Sequence, residues 1–439
     1  MLIRDFINYT HPSLNMILEP TWKLLAIHIP VYLQTAGYGK PLKKLPDDPE
    51  LQYIKYPFID ATAFEDDEPG IEGMTRQLID LIGTFILNPG IHPLLKMGLG
   101  PFMYTLTSYL LLSQNQLEEY KDNPLYFIEE AYSNVGIELG CTESIRTLCT
   151  RITETLVEMF GNATTEILLN VALENISFTK NPVLKYPLKK NISEYENASI
   201  YEYMAEPFDQ HEIWRKNELG LYILGLISNN LYIAMEKGQK FINIDKIIAG
   251  LTSICKDSVL DNPLLLGRLL CTGSSCVQLF PKSTSTLKKL VEIAVKGLRG
   301  EYSESVKNIA CKCLVRSAHQ MKELPISNIE EVINYLPKHD IDNASIVTET
   351  IITIFFYGNP TTLGKCINKI LKSYLSNCID NEGDGNELKY LVSKIIKREE
   401  YIGLIVDAYV PLISPLIIDY PKGVEPEVTR VLYCLSISN

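Results

Sequence analysis

The chain has 439 residues, 46% of them hydrophobic and 21% charged, with a formal net charge of −12. That much apolar surface excludes an intrinsically disordered chain and suffices for a continuous core. The acidic balance argues against direct nucleic-acid or anionic-membrane binding and suits a basic partner, because summed charge acts on association rather than on fold.

Apolar residues recur at helical spacing along most of the chain. The first helix is expected over about Ser13 to Gln34, carrying Trp22 and interrupted near Pro20 and Pro30. Residues Ala36 to Gly70 break the period with Pro41, Pro46, Pro49, Pro57 and Pro69 among acidic groups. Helices resume over Ile71 to Leu87, His92 to Leu112 and Ser113 to Lys121. Asp122 to Thr142 reads as a connection, Glu143 to Phe160 as a helix, and Lys180 to Gln210 as irregular. Long loops are therefore expected near 36–70, 122–142 and 180–210.

Helices then follow near Glu212–Lys237, Ile244–Lys256, Pro263–Leu279, Thr284–Leu298, Glu304–Met321 and Asn328–Leu336. Ser327 and Glu330 have the spacing of a capping box. Further helices cover Ser345–Phe356, Thr361–Ser376, Glu387–Arg398 and the tail. No strand pattern competes with them over any useful length.

The pattern repeats about every forty residues. Leu266, Leu269 and Leu270 are followed by Val306, Ile309 and Ala310, and then by Val347 and Ile351. One helix pair cannot bury its apolar face alone, so pairs of equal size must stack. The expected fold is all-α, an α-solenoid running through residues 1–439 as one continuous array of roughly ten repeats. A distant echo links Glu143-Ser-Ile-Arg-Thr-Leu-Cys149 with Glu304-Ser-Val-Lys-Asn-Ile-Ala310. The closing run Val428-Thr429-Arg430-Val431-Leu432 reads as an amphipathic helix without a polar cap, so the chain is expected to be a piece of a longer solenoid.

The ten cysteines are scattered, most of them on apolar faces, where a reduced thiol packs as a small hydrophobe. No signal-peptide pattern opens Met1 to Phe6, which points to a reducing cytoplasmic or nuclear setting. The six Asn-x-Ser/Thr sequons, Asn162, Asn191 and Asn197 among them, read as chance matches in that setting. Met97 to Leu117 carries no charge but is rich in Gly, Thr and Ser, and reads as a buried helix rather than a membrane span.

Gly358 to Cys366 follows an apolar run and opens a helix, as a phosphate-binding loop does. However, five residues separate Gly358 from Gly364, and Cys366 stands where a metal-binding hydroxyl is needed. Gly358 reads more simply as a helix end and Pro360 as the next start. Cys311 and Cys313 point about 200° apart on a helix and cannot face one metal. No nucleophile elbow or zinc-protease motif is present. The expectation is a protein that is not an enzyme and needs no cofactor or metal. Three acidic clusters remain: Glu65-Asp66-Asp67-Glu68, then Glu118, Glu119, Asp122, Glu129 and Glu130, then Asp380, Glu382, Asp384 and Glu387. Of these, Glu65, Asp66, Asp67, Glu68, Glu129 and Glu130 are the candidate partner-binding residues, since clustered charge steers a basic protein. An ordinary solvated loop is the competing reading.

Several segments in order resemble importin-β-type nuclear transport receptors. They are Ser113-Gln-Asn-Gln-Leu-Glu-Glu-Tyr120 with Asn123-Pro-Leu-Tyr-Phe-Ile-Glu-Glu130, Ser144-Ile145-Arg146, Trp214-Arg-Lys-Asn-Glu218, and Asn262-Pro-Leu-Leu-Leu-Gly-Arg268. The acidic loop Asp66 to Gly73 belongs to the same set. The likeness spans about residues 20–435, but a family member is over twice this length, and the amino-terminal repeats that hold Ran-GTP have no counterpart here. The resemblance implies HEAT-type pairs wound as a right-handed superhelix. It also implies import of basic cargo such as core histones and ribosomal proteins, release by Ran-GTP, and residence in cytoplasm and nucleus. A generic HEAT-repeat scaffold for a non-transport assembly is the alternative.

Overall fold

A computed structural model describes residues 7–40, 71–122, 144–176, 213–281, 284–326, 329–337, 344–358, 363, 366–372, 386–395 and 397–418. Helix is the only regular secondary structure among them, so the chain is all-α. Most of each expected long loop lies outside the described residues, as do Ser327 and the tail after Ile418. Backbone contacts divide the chain into two compact units, Met1–Ser253 and Ile254–Asn439.

The first unit opens with α1 (Ile7–Tyr32), continued by a π-turn at Leu33–Gly37. It runs through Pro20 and Pro30 where the sequence suggested interruptions. Each proline removes one helical donor, but Leu25, Ile29 and Tyr32 are at most 2% exposed, and their burial offsets the lost hydrogen bonds. Next come α2 (Ile71–Ile86), α3 (His92–Met97), α4 (Leu99–Ser108) and α5 (Gln114–Asp122). The single helix expected over His92 to Leu112 is thus broken at Gly98 and again after Ser108. Tyr109 explains the second break: its hydroxyl donates to the Leu25 carbonyl at 2.6 Å, holding the chain against α1. The uncharged run from Met97 to Leu117 is divided by the same breaks, and Leu110, Leu111 and Leu112 are core residues. No single described helix is long and apolar enough to cross a membrane; α2 and the segment Pro89–Met97 satisfy that measure only jointly, across a 92° bend.

The unit continues with α6 (Ile145–Phe160), α7 (Asn162–Ile176), α8 (Ile213–Leu226), α9 (Ser228–Glu236) and α10 (Ile244–Ile254), the last ending at the division. Helix α7 is absent from the sequence reading, which stopped at Phe160. Gly161, at φ 55°, turns the chain there with no side chain to strain. Helices α7 and α8 pack closely: a Cβ at Gly220 would lie 2.7 Å from the Ala172 carbonyl oxygen and 2.8 Å from Ile176 Cγ1. The helix expected over Glu212–Lys237 is bent at Ile227, where Ser228 Oγ donates to the Gly225 carbonyl at 2.8 Å.

The second unit carries the forty-residue period. Its helices are α11 (Pro263–Cys276), α12 (Ser285–Arg299), α13 (Glu304–Met321), α14 (Ile329–Asn334), α15 (Ala344–Tyr357), α16 (366–372), α17 (Asn386–Ile395) and α18 (Glu399–Ile418). Helices α11, α13, α15 and α17 begin at Pro263, Glu304, Ala344 and Asn386, intervals of 41, 40 and 42 residues, and each packs on the next. Cross-links recur at the same separation. Tyr302 Oη donates to Leu260 O at 2.7 Å, Gln320 Nε2 to Phe280 O at 2.8 Å, and Arg398 Nη1 to Phe355 O at 3.1 Å. The repeating triplets are core: Leu266, Leu269, Leu270, Ile309, Ala310, Val347 and Ile351 are all buried.

Candidate functional site

The six acidic residues expected to meet a partner, Glu65, Asp66, Asp67, Glu68, Glu129 and Glu130, lie outside the described residues, as does the cluster from Asp380 to Asp384. Of the second cluster, Glu118 and Glu119 are exposed on α5. Gln114 Nε2 donates to Glu118 Oε1 at 3.2 Å along the same helix.

The strongest polar arrangement lies inside the first unit. Ser144 caps α6 by accepting the Thr147 N–H at 3.1 Å, which starts the helix and fixes the direction of Arg146 two residues on. Arg146 reaches α8 and grips Glu218 with both terminal nitrogens, at 3.1 and 2.8 Å, with side chains 1% and 0% exposed. Its guanidinium also lies 3.9 Å from the Tyr222 ring centroid. The Tyr222 hydroxyl meets Thr150 Oγ1 at 2.7 Å, closing the set back onto α6. A bidentate pair with an aromatic lid is the geometry in which a buried arginine is best satisfied.

Arg215 extends the arrangement. It is 3% exposed and donates to the carbonyl of Gly37, to Leu112 O at 3.4 Å and to Gln114 Oε1 at 2.9 Å. One guanidinium thereby joins the π-turn after α1, the chain before α5, and α8. Beside it Lys216 is 5% exposed, and burial lowers its ammonium pKa from the ordinary 10.5 to about 8. With Arg146 and Glu218 buried, the arrangement fastens helices rather than offering a charge to solvent.

These residues are the ones that carried the family resemblance. Arg146 comes from Ser144-Ile145-Arg146, and Arg215, Lys216 and Glu218 come from the Trp214 segment. The third landmark is also architectural: Asn262 Oδ1 accepts from the Leu264 and Leu265 N–H groups at 3.1 Å, capping α11, with Pro263 at its first position. Arg268 on that helix is 2% exposed. Sequence reasoning found these residues as landmarks and missed that two of them pair; the hint was a buried-type apolar neighbourhood around two opposite charges.

The motif candidates settle into the core. A Cβ at Gly358 would lie 2.5 Å from Ile354 O, 2.9 Å from Leu363 Cδ1 and 3.0 Å from Ile329 Cδ1, so Gly358 is packed tightly against its own helix and two neighbours; residues 359–362 and 364–365 lie outside the described residues. The Gly358 N–H closes α15 on Ile354 O at 2.8 Å. Cys149, Cys255, Cys271, Cys276, Cys311, Cys313 and Cys366 are buried free thiols, and burial pushes Cys255, Cys276, Cys311 and Cys313 up to about 12. Such thiols are inert toward electrophiles while buried. Among the described residues no group of three His, Cys, Asp or Glu could hold a metal ion.

No protein-family model matches the chain, and no curated protein matches it.

Proposed function

We propose that the chain is a segment of an importin-β-type nuclear transport receptor that binds basic proteins, with each compact unit built as a HEAT-type α-solenoid. The observation that carries the solenoid is the run of helices α11, α13, α15 and α17, spaced by 41, 40 and 42 residues and packed in succession. Repeats of that length, each touching only its neighbours, build extended binding surfaces. The net charge of −12 supplies the sign of the partner. The order of landmarks resembles the central part of importin-9, so the proposed cargo is core histones and ribosomal proteins. Release by Ran-GTP in the longer protein and residence in cytoplasm and nucleus follow from the same reading.

The test is binding of the purified chain to core histones across a salt series, with the triple variant Asp66→Lys, Asp67→Lys, Glu68→Lys beside it. Salt-sensitive binding that the variant weakens by about tenfold is expected, a loss in the range of rim charges that steer association. Unchanged affinity in the variant removes that loop from the reading, and no histone binding at low salt removes the transport reading itself.

The alternative is a HEAT-repeat scaffold for a non-transport assembly. It is favoured by one observation: the landmark residues that have structural roles here act as caps and buried ties, which any such scaffold needs. A pull-down dominated by one fixed complex and lacking basic nuclear proteins would select it.

A further inference from the structure

Lys216 stands in the first turns of α8 with its charge unanswered. The residue is 5% exposed, yet among the described residues no hydrogen bond or ion pair reaches its ammonium. Burial is the sole cause of its lowered pKa, and no carboxylate contributes to it. Glu218, the buried carboxylate on the same helix, is held by both terminal nitrogens of Arg146. A buried ammonium without a counter-charge is costly, and a bound anion relieves that cost.

The place for an anion is the amino-terminal end of α8. Ile213, Lys216 and Asn217 stand at i, i+3 and i+4, on one side of the helix. Side chains on a helix lean toward its amino terminus, so Lys216 and Asn217 are directed back over the turn that Ile213 opens. Asn217 Oδ1 is itself buried without a hydrogen-bond partner, and a half-turn of that amide offers an N–H donor at the same point. The first N–H groups of a helix have no carbonyl of their own helix to meet, and the helix dipole adds partial positive charge there. Ile213, Trp214 and Asn217 are only partly buried, which gives this turn a route to solvent.

We infer that residues 213–217 form a binding site for a phosphate group, held by the Lys216 ammonium, the Asn217 amide and the Ile213 and Trp214 N–H groups. A phosphate ester brings about −1.5 to −2 of charge and three strong acceptor oxygens, enough to serve these donors together. Arg215, one position from Lys216, adds a further positive charge to the same turn. The inference stands independently of the transport reading.

Isothermal titration calorimetry of the full chain at pH 7 tests it, with inorganic phosphate, glycerol phosphate and acetate as probes and chloride matching the ionic strength. Saturable phosphate binding at one site is expected, at least tenfold tighter than acetate. Lys216→Met is expected to weaken it by about tenfold or more. Asn217→Asp puts a carboxylate where the anion sits and is expected to abolish binding. Far-UV circular dichroism checks that the variants keep their helices, and either variant that folds suffices for the test. Tighter binding of glycerol phosphate than of inorganic phosphate assigns the site to an ester, and the reverse order to the free ion. No saturable phosphate binding, binding unchanged in the folded variants, or acetate bound as tightly as phosphate would overturn the inference.

Discussion

Arg146 and Glu218 sit 72 residues apart in sequence and meet in a two-pronged ion pair at 2.8 and 3.1 Å, with 1% and 0% of their side chains exposed. Neither charge can be removed singly without stranding the other in a low-dielectric interior. Arg146→Met or Glu218→Leu alone is expected to destabilise the first unit by about 3–5 kcal/mol. The double variant should recover most of that loss, because apolar replacements of similar volume need no partner. Urea unfolding of the four proteins measures this, and equal losses in single and double variants would contradict it.

Lys216 lies one position along α8 from Arg215 and titrates in an accessible range. Burial lowers its pKa from 10.5 to about 8, so between those values the unfolded chain holds a proton that the native state has released. The penalty of burying the ammonium is fully present below pH 8 and disappears as the pH rises toward 10.5. Lys216→Met is therefore expected to stabilise the chain at pH 7 by on the order of 1–3 kcal/mol. The gap between variant and unmodified protein should close by pH 10, and a gap independent of pH would show that Lys216 is stabilised by something other than solvent exclusion.

The buried thiols of the second unit predict the opposite slope. Cys255, Cys276, Cys311 and Cys313 are raised from 9.0 to about 12 by burial. Unfolded thiols ionise above pH 9 while the native ones stay protonated, so stability present below pH 9 is lost progressively toward pH 12. At pH 8 alkylation of Cys311 and Cys313 should be slower by about a hundredfold or more than in the urea-unfolded chain, since reaction waits on opening. Peptide mass spectrometry after timed labelling reads this directly.

Close approach of α7 and α8 at Gly220 leaves no room for a side chain, with backbone oxygen rather than a flexible group in the way. Gly220→Ala is expected to cost about 1–3 kcal/mol, despite the better helix propensity of alanine. A neutral or stabilising result in thermal unfolding would mean that the two helices part easily.

The same chemistry separates a cap from a core residue. Asn262→Ala removes the acceptor for two N–H groups at the start of α11 and should cost about 1 kcal/mol. Asn262→Asp should retain most of the stability in the same urea titration, because its carboxylate also caps and suits a helix N-terminus.

Much of the second unit was legible from periodicity. Glu304–Met321 matches its expected limits, and the triplets spaced by forty residues are the buried faces. Where the reading failed, the cause was tertiary. Pro20 and Pro30 did not interrupt α1, Tyr109 ended α4 through a hydrogen bond to Leu25, and α7 passed unread because Ile167 and Leu173 lie off its buried face and blur the apolar period. Of the candidate acidic residues named for partner binding, none is among those the structure describes.

The paired segments at Ile145 and Val306 show where the division falls. Their apolar residues match, and in both they are buried, because spacing along one chain decides which residues share a helical face. Their polar residues part company. Ser144 caps α6, whereas the matching Ser305 is buried inside the first turn of α13 and Ser303 does the capping there. Arg146 is locked to Glu218 in the core, whereas the matching Lys307 is 20% exposed and lies 3.8 Å from Glu304 on its own surface. The sequence by itself determined the forty-residue period of the second unit and the apolar faces of its helices, which depend on local spacing. Which charge is buried, and with what partner, depended on helices brought together from 72 residues away, and only the tertiary structure decided it.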